Sequence, residues 1–99
     1  MKIVKTLHLT LTRKWFDMVK SGEKREEYRE IKPYWKSRLC DKDEIGKWWF
    51  KAFTHVEFRN GYGKNLPYMR FKITELTVGI GDPKLGAPLN KNVFIIKFK

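Results

Sequence analysis

The apolar positions divide the chain into short segments of two different periods. From Ile3 to Leu11 residues alternate, with Leu7, Leu9 and Leu11 on one face and Thr6, His8 and Thr10 on the other. A period of two is that of a half-buried strand. From Thr12 to Lys20 the spacing becomes helical. Leu11, Trp15, Met18 and Val19 fall on one stripe, Thr12 sits at the N-cap position, and Gly22 lies where a helix would end. Lys24 to Ile31 is charged but free of Gly and Pro, and predicts a second strand. Pro33 opens a short helix through Leu39. Asp41 to Lys47 reads as a polar turn. Trp48 to Arg59 reads as one long strand with Ala52, Thr54, Val56 and Phe58 on a common face. Asn60-Gly61-Tyr62-Gly63 and Pro67 mark a turn and loop. Tyr68 to Ile80 predicts another strand, Gly81 to Asn92 a loop rich in Gly and Pro, and Val93 to Lys99 a closing strand.

About five mostly antiparallel strands and one or two short helices predict an α+β fold. Closing so few strands into a small barrel removes exposed edges. At 99 residues the chain can bury one core but not two, so it reads as one domain over 1–99. It carries no linker, internal repeat or low-complexity stretch.

Composition then narrows the function. Hydrophobic residues at 41% argue against disorder, and aromatics at 15% supply both core filling and stacking surfaces. Lys and Arg number 22 against 11 acids, a net charge of +11. Such an excess favours polyanionic partners, nucleic acid first among them. A membrane partner is not expected. No apolar run approaches the ~20 residues of a span, and no amphipathic helix has a Lys/Arg-rich polar face. Met1 to Thr10 lacks the apolar core of a signal peptide, so the protein reads as cytoplasmic. Cys40 is the only cysteine, and His8 and His55 lack metal-ligand spacing, so neither an intrachain disulfide, a metal nor a cofactor is expected.

The segment that carries chemistry is Ser21-Gly22-Glu23-Lys24-Arg25-Glu26-Glu27-Tyr28-Arg29. Gly22 can take positive φ and reverse the chain tightly. On the strand that follows, Arg25, Glu27 and Arg29 share one face and Glu26 and Tyr28 the other, while Lys24 lies at the turn. A Glu held and oriented by two Arg gives donors and one acceptor suited to a phosphate and a base edge. The plainer alternative is a solvated strand edge with ion pairs worth ~0–1 kcal/mol each.

The spacing Gly22-x-Lys24-x-x-Glu27-x-Arg29, just after the first helix, resembles the GxKxxExR signature of ASCH domains, small β-barrels of the PUA-like superfamily. Phe58-Arg59-Asn60-Gly61-Tyr62 and Gly86-Ala87-Pro88 are similar to stretches of small bacterial and phage members. The resemblance implies a PUA-like barrel and a cleft between barrel and helix that binds RNA or a nucleotide-like ligand. It carries the binding role onto Lys24, Glu27 and Arg29. Lys24 and Arg29 would meet phosphate and Glu27 a base amino group. Gly22, Tyr28, Asn60 and Tyr62 complete the candidate site, although Asn60 also suits the turn itself. Tyr28, Tyr34, Trp35 and Tyr62 are candidate stackers. Trp15, Trp48 and Trp49 are assigned to core or barrel cover. Lys32, Lys36 and Arg38 would extend the basic surface or stand solvated.

Two other readings stay open. Some small ASCH-like proteins resemble amidohydrolases that remove an acyl group from a modified cytidine with a Lys, a Thr and a Glu. Lys24 matches the Lys, but Glu27 stands at the Thr position and would serve as a general base towards water rather than as a nucleophile. Lys24 and Glu27 would then be catalytic, with Glu57 or Glu75 as the partner carboxylate. The remaining reading is a basic interaction domain that meets an acidic protein.

Overall fold

The structure, a computed structural model, describes residues 3–99; Met1 and Lys2 of the N-terminal stretch lie outside them. Strand β1 (Thr6–Leu11) leads into helix α1 (Arg13–Ser21), which Gly22 ends in the left-handed conformation at φ 92°. Strand β2 (Glu26–Glu30) and helix α2 (Pro33–Leu39) follow. A hairpin of β3 (Cys40–Lys42) and β4 (Trp48–Phe50) precedes β5 (His55–Asn60), β6 (Tyr68–Ile80) and β7 (Asn92–Phe98). The five longer strands form one curled sheet in the order β1-β5-β6-β7-β2. Only β1 and β5 pair in parallel; the other three pairings are antiparallel. The fold is thus α+β, with a barrel-like half-cylinder and a small second sheet.

The core lies in the concavity of this sheet. The alternating face of β1 (Leu7, Leu9, Leu11) meets Val56 and Phe58 of β5 and Phe94, Ile96 and Phe98 of β7. Phe58 and Phe98 touch at 5.0 Å between ring centroids. Helix α1 closes one side with Phe16 and Val19. Trp15 and Met18, expected on the buried stripe, are only half-buried, because the helix is rotated towards Phe16. Strand β7 lacks alternation because it is covered on both faces. Its Val93 and Ile95 pack against Tyr28 and Ala87 in a second, smaller cluster.

Several boundaries differ from the sequence reading, among them β2, which spans Glu26–Glu30 rather than Lys24 to Ile31. β1 starts at Thr6, and Ile3 and Val4 are exposed. The segment read as one strand from Trp48 to Arg59 breaks at Lys51–Thr54. Its first part pairs with β3 and its second with β1 and β6, and one straight strand cannot reach both. Thr54 fixes the break by accepting from Lys5 N–H at 3.0 Å while its own N–H donates to Lys5 O at 2.8 Å. Ala52 therefore faces solvent rather than the core. The Gly81–Asn92 loop contains one 3-10 turn, Pro83–Leu85, stapled by Asp82 Oδ1 accepting from Lys84 N–H at 2.9 Å. No described helix is long and apolar enough to cross a membrane.

Candidate functional site

Strands β1 and β2 are the two edges of the curled sheet and are not paired with each other. The charged segment sits on β2, so it faces the open seam of the half-barrel. Side chains rather than a ladder close that seam. Arg29 Nη2 donates to Thr10 O on β1 at 3.2 Å and to Glu27 Oε2 at 2.5 Å. Lys24 precedes β2, and its N–H donates to Met18 O at 3.1 Å, which ties the segment to α1.

Lys24 is the most deeply buried charge among the described residues, with 1% of its surface exposed. Its Nζ donates to Leu85 O and stands 3.3 Å from Glu27 Oε1. The rings of Trp15 and Tyr28 flank it at 5.0 and 4.8 Å. Burial pushes the Lys24 ammonium below its usual range, the neighbouring Glu27 carboxylate opposes this, and Arg29 adds to it. Glu27 also accepts from Tyr28 N–H at 3.1 Å, so both of its oxygens are engaged within the protein. Removing one member of such a buried network leaves an uncompensated charge, which costs about 3–5 kcal/mol.

The expected triad of Arg25, Glu27 and Arg29 does not form. β2 begins at Glu26, and the Arg25 guanidinium instead lies over the Phe71 ring and donates to Val19 O at 3.3 Å. Lys24 takes its place beside Glu27. Tyr28 is buried rather than an open stacking plate. Its hydroxyl donates to Glu26 Oε1 at 2.9 Å and accepts from Asp82 N–H at 3.2 Å. Burial raises its phenol to about 12.

Arg29 is the pivot of the site. It lines three adjoining cavities of about 450, 250 and 310 Å³. Its guanidinium lies 4.9 Å from the Trp35 ring. Its Nε is the one buried side-chain polar atom among the described residues without a hydrogen-bond partner. An unmet buried donor costs about 1–3 kcal/mol unless something accepts from it. The first cavity is walled by Tyr28, Trp35 and the Gly86-Ala87-Pro88 stretch, with Lys91 at its rim. The second holds Lys24 and Glu27 at its base, between Thr10, Thr12 and Trp15. Gly86, at φ 104°, lets the loop approach Trp15, whose ring a Cβ there would meet at 3.2 Å. The third is lined by His8, Tyr34, Trp35, Arg38 and Tyr62.

Lys24, Glu27, Tyr28, Arg29 and Tyr62 therefore meet around one cleft. Gly22 and Asn60 do not line it. Gly22 makes the turn after α1, and Asn60 N–H donates to Pro67 O at 3.2 Å as β5 ends. Neither Glu57 nor Glu75 lines the cleft. Glu57 pairs with His8 and Arg59, and Glu75 with Lys97. Sequence reasoning missed the carbonyls of Thr10 and Leu85 that anchor Arg29 and Lys24, since a backbone acceptor has no residue-type signature. No protein-family model, curated protein or solved structure matches the chain.

Proposed function

We propose that the chain is an ASCH-type module that binds RNA, or a nucleotide-like ligand, in the cleft at the seam of the half-barrel. The observation that carries this reading is Arg29. A guanidinium held against Trp35, still partly exposed and lining three adjoining cavities, offers charged donors beside an aromatic plane. Single-stranded RNA is recognised by such planes and donors. Lys24 and Glu27 support the reading as positioning residues, because their polar atoms hold Arg29 and the Leu85 turn in place. Tyr62, 90% exposed, and Arg38 are the accessible stacker and cation of the same cleft.

The test is anisotropy of a labelled single-stranded RNA at several salt concentrations. The logarithm of affinity should fall with that of salt by about 0.7 per phosphate engaged. Tyr62→Ala should weaken binding about 5- to 140-fold, the worth of one stacked base, without lowering the melting temperature. Equal binding by wild type, Tyr62→Ala and Arg38→Ala would mean that charge acts without the cleft, and the reading fails.

A further inference from the structure

Trp48 and Trp49, which the sequence assigns to core or barrel cover, are 40% and 55% exposed. Both stand on β4 of the small hairpin, away from the Arg29 cleft. Each ring carries lysine ammonium groups. Lys36 and Lys42 lie 4.8 and 5.7 Å from the Trp48 centroid, and Lys47 lies 4.3 Å from that of Trp49. The presentation is built rather than loose. Asp43 Oδ1 accepts from Ile45 and Lys47 N–H at 3.0 and 2.8 Å, and Asp43 Oδ2 accepts from Trp49 Nε1 at 3.1 Å. Phe50, next along the strand, is anchored edge-on against Phe94 at 5.9 Å. Beside Trp48 opens an apolar cavity of about 250 Å³, walled by Ile31, Phe50, Val78 and Phe94 with Lys36 as its charged member.

We propose that this hairpin is a second site for a single-stranded polynucleotide that wraps the free edge of β4, with bases stacking on Trp48 and Trp49, which project from opposite faces of the strand, and phosphates meeting Lys36, Lys42 and Lys47. Flat apolar plates with cations at their faces match a partner that repeats a planar base and an anion along one chain. The chain's net charge of +11 complements that partner. Asp43 and Glu44 stand at the hairpin tip beside Ile45, where tip-first entry into an anionic bilayer would bring them against like charge. An acidic peptide would satisfy the lysines but leave the indole faces without a plate to stack on. The platform rests on observations separate from the Arg29 cleft and shares only its class of partner.

The probe is a fluorescein-labelled oligouridylate of about 12 nucleotides, within the span of small single-strand binders. Trp49→Ala should weaken binding about 5- to 140-fold, while Trp49→Phe, which keeps a stacking ring, should retain most of the affinity. Lys42→Ala with Lys47→Ala, both on the surface, should flatten the salt dependence by about 1.4 in log–log slope. That pair keeps the test decisive if Trp49→Ala unfolds. Wild-type binding by the lysine pair and by a folded Trp49 variant overturns the platform. So does Trp49-dependent binding to phosphatidylserine vesicles with none to the oligonucleotide. Loss in Tyr62→Ala alone would leave the cleft standing and the platform refuted; loss in the hairpin variants alone would do the reverse.

Discussion

A buried ionisable side chain ties local structure to pH, and Tyr28 does so in the wall of the cleft. Its phenol ionises near 10.0 in an unfolded chain and at about 12 here, because burial disfavours the phenolate and the hydrogen bond to Glu26 holds the proton. A raised pKa means that the native state keeps a proton the unfolded state has lost. Its contribution is therefore fully present below pH 10 and is lost as pH rises through about 12. Denaturant unfolding of wild type and Tyr28→Phe should show stability falling more steeply between these limits in the wild type. Parallel curves for the two proteins would contradict the assignment. Lys24 works in the opposite sense. Its lowered pKa means that the unfolded state binds the proton more tightly, so its own contribution to stability grows with pH up to the unfolded value of 10.5. The tolerance of a charge so deeply buried rests on Glu27, which supplies the counter-charge at 3.3 Å.

At the scale of elements, the site depends on how the Gly81–Asn92 loop is pressed against β2. Gly81 is buried where β6 ends, and a Cβ there would lie 2.6 Å from both Ala87 Cβ and Tyr28 Cε1. Neither neighbour is a flexible side-chain end, so the loop or the ring must shift. Gly81→Ala should cost about 1–3 kcal/mol, the usual penalty of overpacking, read as a lower urea midpoint at unchanged slope. It should also displace the Leu85 carbonyl from Lys24 and loosen the second cavity. The hairpin of β3 and β4 was the least legible element. Its strands have three residues each, too few for a period to register. Its Trp48 and Trp49 read as core because large aromatics are usually buried, yet the hairpin lies outside the main sheet and leaves both rings open. Helix α2, by contrast, was plain from Pro33 and its apolar end at Leu39.

For the whole molecule, the net charge acts against stability, whereas under the proposed function it acts in favour of binding. Outside the cleft the ion pairs are mostly exposed and worth little, whereas a net +11 repels itself across the surface. Raising ionic strength from about 0.02 to 0.5 M shortens the screening length from roughly 20 to 4 Å. The melting temperature should therefore rise with salt while affinity for single-stranded RNA falls. A melting temperature that dropped with salt would show that attractive pairs outweigh the repulsion. The open geometry of the sheet matters at this scale too. Because β1 and β2 do not pair with each other, Arg29 bridges the seam through Thr10 O while Lys24 ties the β2 side to α1 and the Leu85 turn, and the cavities lie along it.

The sequence by itself determined the α+β class, the alternating face of β1, the turn at Gly22, helix α2 and the location of the charged segment. These follow from local period, capping residues and composition, which act within a few positions of one another. Only the tertiary structure decided which charges meet. Alternation placed Arg25 beside Glu27, but the strand starts only at Glu26, and a lysine from the preceding turn fills that place instead. The carbonyl of Thr10, 19 residues from Arg29, reaches the site because the sheet curls until its two edges face each other, and that of Leu85, 61 residues from Lys24, because the loop between β6 and β7 folds over β2. Burial of Tyr28 and exposure of Trp48 and Trp49 were likewise settled by which surfaces the distant loop and strands cover. Such long-range packing has no signature in a residue's own neighbourhood along the chain.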